Sequence, residues 1–156
     1  MNFFDNISRK ISQKLLPYNE FVKNAHEQCK KLQQESIVDV NEEDQNYSID
    51  IAKKELGLDD VLIDSLIEDY VAQIISNIPL FKKYAKDSDT NLTTLKELAH
   101  KNLGVARNLR IKDMQKILKE IMNTDDRESL LKCIDYLEAC AIVLKPKIAY
   151  KAYRKR

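Results

Sequence analysis

The side chain in this sequence that is best suited to covalent chemistry is His100, inside the segment LKELAHKNLGVARNLRI of residues 95–111. The chain has two histidines and two glycines, and this segment holds one of each, with Gly104 four residues after the histidine. A neutral imidazole can attack phosphorus and hold the phosphoryl group as a phosphoramidate, which is a simple form of nucleophilic catalysis. The basic side chains nearby favour a phosphoryl group or an acidic partner as the ligand.

The direction in which His100 points depends on the helix that carries it. At about 100° per residue, the apolar residues between positions 92 and 110 gather in one broad sector that must face a core. His100 falls roughly 150° from the centre of that sector, so the sequence predicts that its ring points to water. Its neighbours on the same outer face are Lys96, Glu97, Lys101, Gly104 and Arg107.

Gly104 has two possible explanations at this stage. A glycine inside a helix costs about 1 kcal/mol relative to alanine, so its presence needs a reason. One reason is that the missing side chain lets another protein approach the imidazole. The alternative is close packing of two helices at Gly104, with His100 an exposed histidine that has no function.

Four amphipathic segments predict an all-α fold, specifically an antiparallel up-and-down four-helix bundle with one or more additional N-terminal helices. Their apolar residues recur at three- and four-residue steps within residues 58–78, 91–109, 112–122 and 129–145. Two glycines and three prolines leave little material for the tight turns of a β fold. We expect Pro79 to kink or end the first helix and Pro146 to end the last.

The pattern along the chain predicts four parts. They are an accessory N-terminal helical segment, an acidic linker, the bundle and a basic C-terminal tail, at residues 1–37, 38–47, 48–147 and 148–156. Pro17 divides the first part into two helical pieces, FFDNISRKISQKLL and NEFVKNAHEQCKKLQQE. Within the third part, Ser48 or Asp50 caps a short helix that Gly57 ends.

Charge and hydropathy exclude some classes of protein. The net charge of +1 gives no global field toward nucleic acid or membrane. No apolar run approaches the roughly eighteen residues of a membrane span. Cys29, Cys133 and Cys140 are odd in number and widely spaced, which does not indicate a disulfide framework. We therefore expect a soluble protein of the cytoplasm.

Two further groups of residues have types that occur in metal sites and in nucleic-acid sites. His26 and Cys29 stand three residues apart, but two ligands without a second pair make a poor zinc site, so no metal and no cofactor is expected. The tail KPKIAYKAYRKR interleaves tyrosines with basic residues, a pattern that can bind RNA by phosphate contacts and stacking. A solvated extension is the commoner form of such a tail, so nucleic acid is an unlikely partner.

The HKNLG sequence at residues 100–104 resembles the motif of the histidine phosphotransfer (HPt) domains of multistep phosphorelays, which is approximately His-x-Leu-Lys-Gly. The upstream LIEDYVAQI and the downstream LLKCIDYLEACAIVL stand where that family has its flanking bundle helices. The resemblance covers residues 48–147 and leaves the N-terminal part outside it.

The resemblance implies a phosphocarrier rather than a turnover enzyme. His100 would accept a phosphoryl group from the aspartate of a response-regulator receiver domain, or from a histidine kinase, and pass it on. The divalent metal for the transfer would belong to the receiver. Gly104 would let the receiver approach, and the supporting or partner-binding residues would be Lys96, Glu97, Lys101, Leu103 and Arg107.

The chain departs from the family motif at two positions. Asn102 stands where the family has leucine, and Leu103 where it has a lysine thought to steady the phosphoryl oxygens. The helical projection places Asn102 near the middle of the core sector, where a buried amide must find hydrogen-bond partners or cost roughly 1–3 kcal/mol. These departures favour an alternative function, a non-catalytic adaptor of HPt shape that binds a receiver or another signalling protein without phosphotransfer.

Overall fold

A computed structural model of the protein describes residues 16–87 and 89–156, without the side chains of residues 89 and 90. Within these residues the protein has eight helices and no strand, which confirms the all-α class. The helices are α1 (Tyr18–Gln34), α2 (Glu42–Gln45), α3 (Ile49–Leu56), α4 (Asp60–Lys86), α5 (Asp89–Asn108), α6 (Lys112–Asn123), α7 (Arg127–Leu144) and α8 (Pro146–Lys155). The predicted helical piece FFDNISRKISQKLL lies outside the described residues, except for its last residue, Leu16.

Short polar side chains begin several helices, as the sequence predicts. Ser48, Asp59 and Asp126 each accept a hydrogen bond from the backbone N–H three residues further on, at the starts of α3, α4 and α7. These contacts satisfy backbone donors that have no partner inside the helix. Gly57 ends α3 with a φ of 68°, a left-handed conformation that glycine adopts without strain.

Pro79 does not end α4, which continues for almost two further turns to Lys86. A proline inside a helix removes one backbone hydrogen bond and costs about 3 kcal/mol or more. The apolar stripe of α4 nevertheless continues past it, because Phe81 and Ala85 are fully buried. Burial of these side chains offsets the cost, which a propensity argument based on proline alone does not include.

Four helices pack in a closed order around the core. α4 contacts α5, α5 contacts α6, α6 contacts α7, and α7 contacts α4. Connections of two or three residues join each of these helices to the next. The largest fully buried side chains in this region are Ile63, Ile67, Tyr70, Ile74, Ile75, Ile78, Phe81, Leu95, Met114 and Tyr136.

Residues 38–47, predicted as an acidic linker, are packed onto the other helices. Val38 and Val40 are buried, and α2 begins with reciprocal hydrogen bonds between Asn41 and Asp44. The Asp44 carboxylate also accepts a hydrogen bond from Lys116 of α6 at 2.6 Å. Charge alone suggested solvation, but the two buried valines anchor the segment, and one of its acidic groups, Asp44, pairs with Lys116.

The C-terminal residues form helix α8 rather than a solvated tail. Pro146 does separate two helices as predicted, since α7 ends at Leu144 and the proline opens α8, a position where its missing N–H costs nothing. The rings of Tyr150 and Tyr153 lie 5.1 and 4.7 Å from the ring of Phe21 in α1. These tyrosines are therefore engaged in packing and are not displayed for base stacking.

Candidate functional site

The helix that carries His100 has the two-sided character that its sequence predicts. Leu95, Ala99 and Ala106 are fully buried, and they define the core side of α5. His100 is exposed on the other side, as the helical projection requires. The exposed surface around it, here called the His100 face, is formed by Glu97, His100, Lys101, Gly104 and Arg107.

The structure excludes one of the two explanations of Gly104, the close packing of two helices. A Cβ atom built on Gly104 meets no heavy atom within 4 Å, so no neighbouring helix needs the missing side chain. The residue is exposed and lies within regular helix, so its backbone does not need glycine either. Gly104 therefore leaves open space one turn after His100 without a packing or conformational reason inside the described protein.

The positive charges near His100 are not equivalent. Lys96 forms an ion pair with Asp125, and 30% of its side chain is exposed. Lys101 and Arg107 are exposed, and neither forms an ion pair with another described residue. Lys101 and Arg107 are thus the cations of this helix that are available to an anionic ligand.

Asn102 is buried as predicted, and its amide is paired. The residue is 4% exposed, and its Nδ2 donates to the carbonyl oxygen of Leu98 at 2.8 Å. The hydroxyl of Tyr70 in α4 donates a hydrogen bond to the backbone carbonyl oxygen of Asn102 at 2.9 Å. Burial, with a contribution from the charge of Asp113, raises the pKa of Tyr70 well above its usual range, so the phenol stays a donor.

Leu103 does not belong to the surface near His100, contrary to its assignment as a supporting or partner-binding residue. It is only 2% exposed and lies one helical turn from Ala99 and Ala106, on the core side of α5. A lysine at this position could not reach a phosphoryl group on His100 without leaving the core. The substitution of leucine for the motif lysine is therefore accompanied by burial of the side chain.

An apolar surface that the sequence pattern did not indicate lies on α4 and α3. Leu66 was expected to face the core because it fits the three- and four-residue spacing, yet it is 39% exposed. The exposed large apolar side chains in this region are Ile51, Val61, Leu62 and Leu66. α4 and α5 are joined by two residues and are linked by the hydrogen bond from the Tyr70 hydroxyl to the backbone carbonyl oxygen of Asn102. Leu66 lies one helical turn before Tyr70 on α4.

The described part of the chain contains neither a metal-binding cluster nor a membrane-spanning helix. No three or more His, Cys, Asp or Glu side chains there come together in a group that could hold a metal ion, which leaves His26 and Cys29 without further ligands. None of the helices described is both long and apolar enough to span a bilayer.

Comparison with protein-family models, curated proteins and solved structures returned no match to this chain.

Proposed function

We propose that the protein is an HPt-like phosphocarrier of a two-component phosphorelay, located in the cytoplasm. His100 accepts a phosphoryl group from a receiver aspartate or a histidine kinase and passes it to a second partner. The observation that carries this proposal is an exposed imidazole on a helix whose next turn, at Gly104, is open to solvent. That arrangement displays a nucleophile and leaves room for the protein that brings the phosphorus.

The proposal includes an antiparallel up-and-down four-helix bundle built from α4, α5, α6 and α7. Its support is the closed order of contacts among these helices and the two- and three-residue connections between them. Short connections favour antiparallel neighbours. In such a bundle α5 is one of four outer surfaces, so a residue opposite its core side is accessible to a macromolecule.

The chemistry requires little from this protein beyond the imidazole. One ring nitrogen attacks the phosphorus of the partner's aspartyl phosphate, the N–P bond forms, and the P–O bond to the aspartate breaks as its carboxylate leaves. The receiver supplies the divalent metal. Lys101 and Arg107 place positive charge on the His100 face, and this charge favours approach of an acidic receiver site.

A second candidate function is a non-catalytic adaptor with the same shape. Leu103 favours it, because the position where the family carries a phosphoryl-steadying lysine is here an apolar side chain buried in the core. The adaptor would use the open surface at Gly104 and the exposed Leu66 for non-covalent binding. Loss of the imidazole would then leave the affinity for the partner unchanged.

Phosphotransfer from receivers distinguishes the two functions. Receiver domains encoded in the same genome are phosphorylated with radiolabelled acetyl phosphate, which releases acetate, and are mixed with the wild type, the His100→Gln variant and the His26→Gln variant. The phosphocarrier predicts acid-labile label on the wild type and on His26→Gln, and none on His100→Gln. His26 is the matched control because it is the second histidine of the chain and is also exposed on a helix.

The affinity of the same receivers for the wild type and for His100→Gln tests the adaptor function. If no receiver transfers label to the wild type, while one of them binds the wild type and His100→Gln with equal affinity, the phosphocarrier is rejected and the adaptor is supported. Label that persists on His100→Gln would reject the assignment of His100.

A further inference from the structure

A cleft of about 790 Å³ opens where α1, α2, α6 and α7 meet. Cys29 of α1 and Cys140 of α7 both line it, together with Asp113 near the start of α6. Cys29 is half-buried, whereas Cys140 is only 4% exposed. These three residues define what is here called the cysteine cleft.

The groups of the cysteine cleft are close enough to perturb one another. Burial raises the pKa of the Asp113 carboxyl to about 6, even though the Met114 N–H, at 2.7 Å, and the Cys140 thiol both donate hydrogen bonds to it. A hydrogen bond with Cys29, burial and the charge of Asp113 all raise the pKa of Cys140 well above its usual range. Cys29, Cys140 and Asp113 therefore lie near one another in a single cleft.

We propose that Cys29 and Cys140 form a peroxide-sensitive dithiol whose oxidation links α1 covalently to α7. The proposal stands on the shared cleft, the difference in exposure between the two thiols, and their position on two helices that pack together. It concerns a modification site separate from His100 and does not depend on the phosphocarrier function.

The oxidation takes place in two balanced steps with hydrogen peroxide as the oxidant. The sulfur of Cys29, the more exposed thiol, attacks one peroxide oxygen and the O–O bond breaks. Cys29 becomes a sulfenic acid, and one water molecule is released. The Cys140 sulfur then attacks the Cys29 sulfur, its proton passes to the Asp113 carboxylate and from there to the sulfenic hydroxyl, and that hydroxyl leaves as the second water. Two thiols are oxidised to one disulfide, and both peroxide oxygens are reduced to water.

Asp113 has a defined part in the second step. A buried thiol with a raised pKa is a poor nucleophile until it loses its proton. The carboxylate of Asp113 accepts a hydrogen bond from that thiol and, with a pKa of about 6, can take the proton near neutral pH. We therefore expect Asp113 to accelerate closure of the disulfide without being needed for its stability.

Cys133 is the internal control for this inference. It is fully buried on α7 and does not line the cysteine cleft. It is seven residues from Cys140, which separates the two along the helix by about 10 Å, too far for a disulfide between them. A reaction that is specific to the cleft leaves Cys133 as a thiol.

The test uses the full-length, reduced protein. It is treated with hydrogen peroxide, the remaining thiols are alkylated, and the digest is analysed by mass spectrometry together with non-reducing gels. We expect a Cys29–Cys140 linked peptide, alkylated Cys133, a monomeric protein and reversal by dithiothreitol. Cys29→Ser must abolish the link, whereas Cys133→Ser must retain it, and Asp113→Asn should slow closure roughly tenfold or more.

Several results would overturn the proposal. Oxidation of Cys29 to the sulfinic acid with Cys140 still alkylated would show that the second thiol does not reach the first. A dimer joined through Cys29 would show that the reaction is intermolecular. Unchanged closure in Asp113→Asn would overturn only the role assigned to Asp113, and the Cys29–Cys140 link would stand. Because Cys29 is half-buried, Cys29→Ser is the variant expected to fold normally, and its circular dichroism spectrum checks this.

Discussion

The side chains that we propose to react lie in two regions that differ in their exposure to water. On the His100 face, His100 and Gly104 are exposed, and a side chain added at Gly104 would contact nothing. In the cysteine cleft, burial and mutual hydrogen bonds shift the pKa of Asp113 and Cys140. The comparison predicts that replacing the His100 side chain changes chemistry with little change in stability, whereas replacing the buried Asp113 in the cleft changes both.

The boundary between the His100 face and the core gives the largest expected effect. Leu103→Lys should destabilise the protein by about 4 kcal/mol, because it removes buried apolar contacts and places an ammonium group in the core. Urea unfolding measures the change, with Asn108→Lys at an exposed position of the same helix as the control. A loss of less than about 1 kcal/mol would mean that a lysine at 103 reaches solvent, and the motif lysine could then be restored.

Asp113, in the cysteine cleft, should make the free energy of unfolding of the protein depend on pH. Because the pKa of Asp113 is raised in the folded state, its ionised form destabilises the fold, and this loss develops as the pH rises from 3.8 to about 6. Asp113→Asn removes the loss. Relative to the wild type, the variant should gain up to about 3 kcal/mol between these limits and keep the gain at higher pH. Urea unfolding across the range tests this.

Asp44 provides a control of opposite sign for that measurement. Burial alone would raise its pKa, but hydrogen bonds from Lys116 and from the Asn41 N–H lower it below the usual value. Its contribution to stability is therefore present above pH 3.8 and is lost as the pH falls through its folded-state pKa. Asp44→Asn should lose stability at neutral pH. Equal pH profiles for the two variants would contradict the burial of Asp113.

The sequence predicted the helical class and the exposed direction of His100 because both depend on local periodicity. The apolar stripe of α5 contains the information that places His100 opposite the core. The same reasoning failed for Leu66, which has the right spacing but lies where no other helix covers it. Periodicity indicates which face of a helix is apolar, but it does not indicate how far along the helix that face is covered.

The cysteine cleft could not be predicted from the sequence. Cys29, Asp113 and Cys140 are far apart along the chain, and each has an ordinary local explanation as a core thiol or an early-helix carboxylate. Tertiary packing of α1 and α6 against α7 brings them together. The basic tail similarly forms α8 because it packs against α4 and α7, with its tyrosines against Phe21 of α1, although those tyrosines also fit an RNA-binding pattern.

Gly104→Ala should sharpen the comparison through a smaller effect. The helix gains about 1 kcal/mol from the substitution, because alanine has the higher helix propensity and its Cβ meets no other atom. Gly57→Ala is the control and should lose about 1 kcal/mol, because the φ of 68° at that position disfavours a side chain. Thermal unfolding measures both. A destabilised Gly104→Ala variant would show that Gly104 has a structural role.

His100→Gln should have the smallest effect on stability and the largest contrast between stability and chemistry. The side chain is exposed, and no hydrogen bond or ion pair to its ring is found among the described residues, so the free energy of unfolding should change by less than about 0.5 kcal/mol. Phosphoryl transfer from a cognate receiver should be lost at the same time. A change of more than about 1 kcal/mol in the free energy of unfolding would contradict the interpretation that the His100 side chain does not stabilise the fold, because an effect of that size requires contacts with other residues.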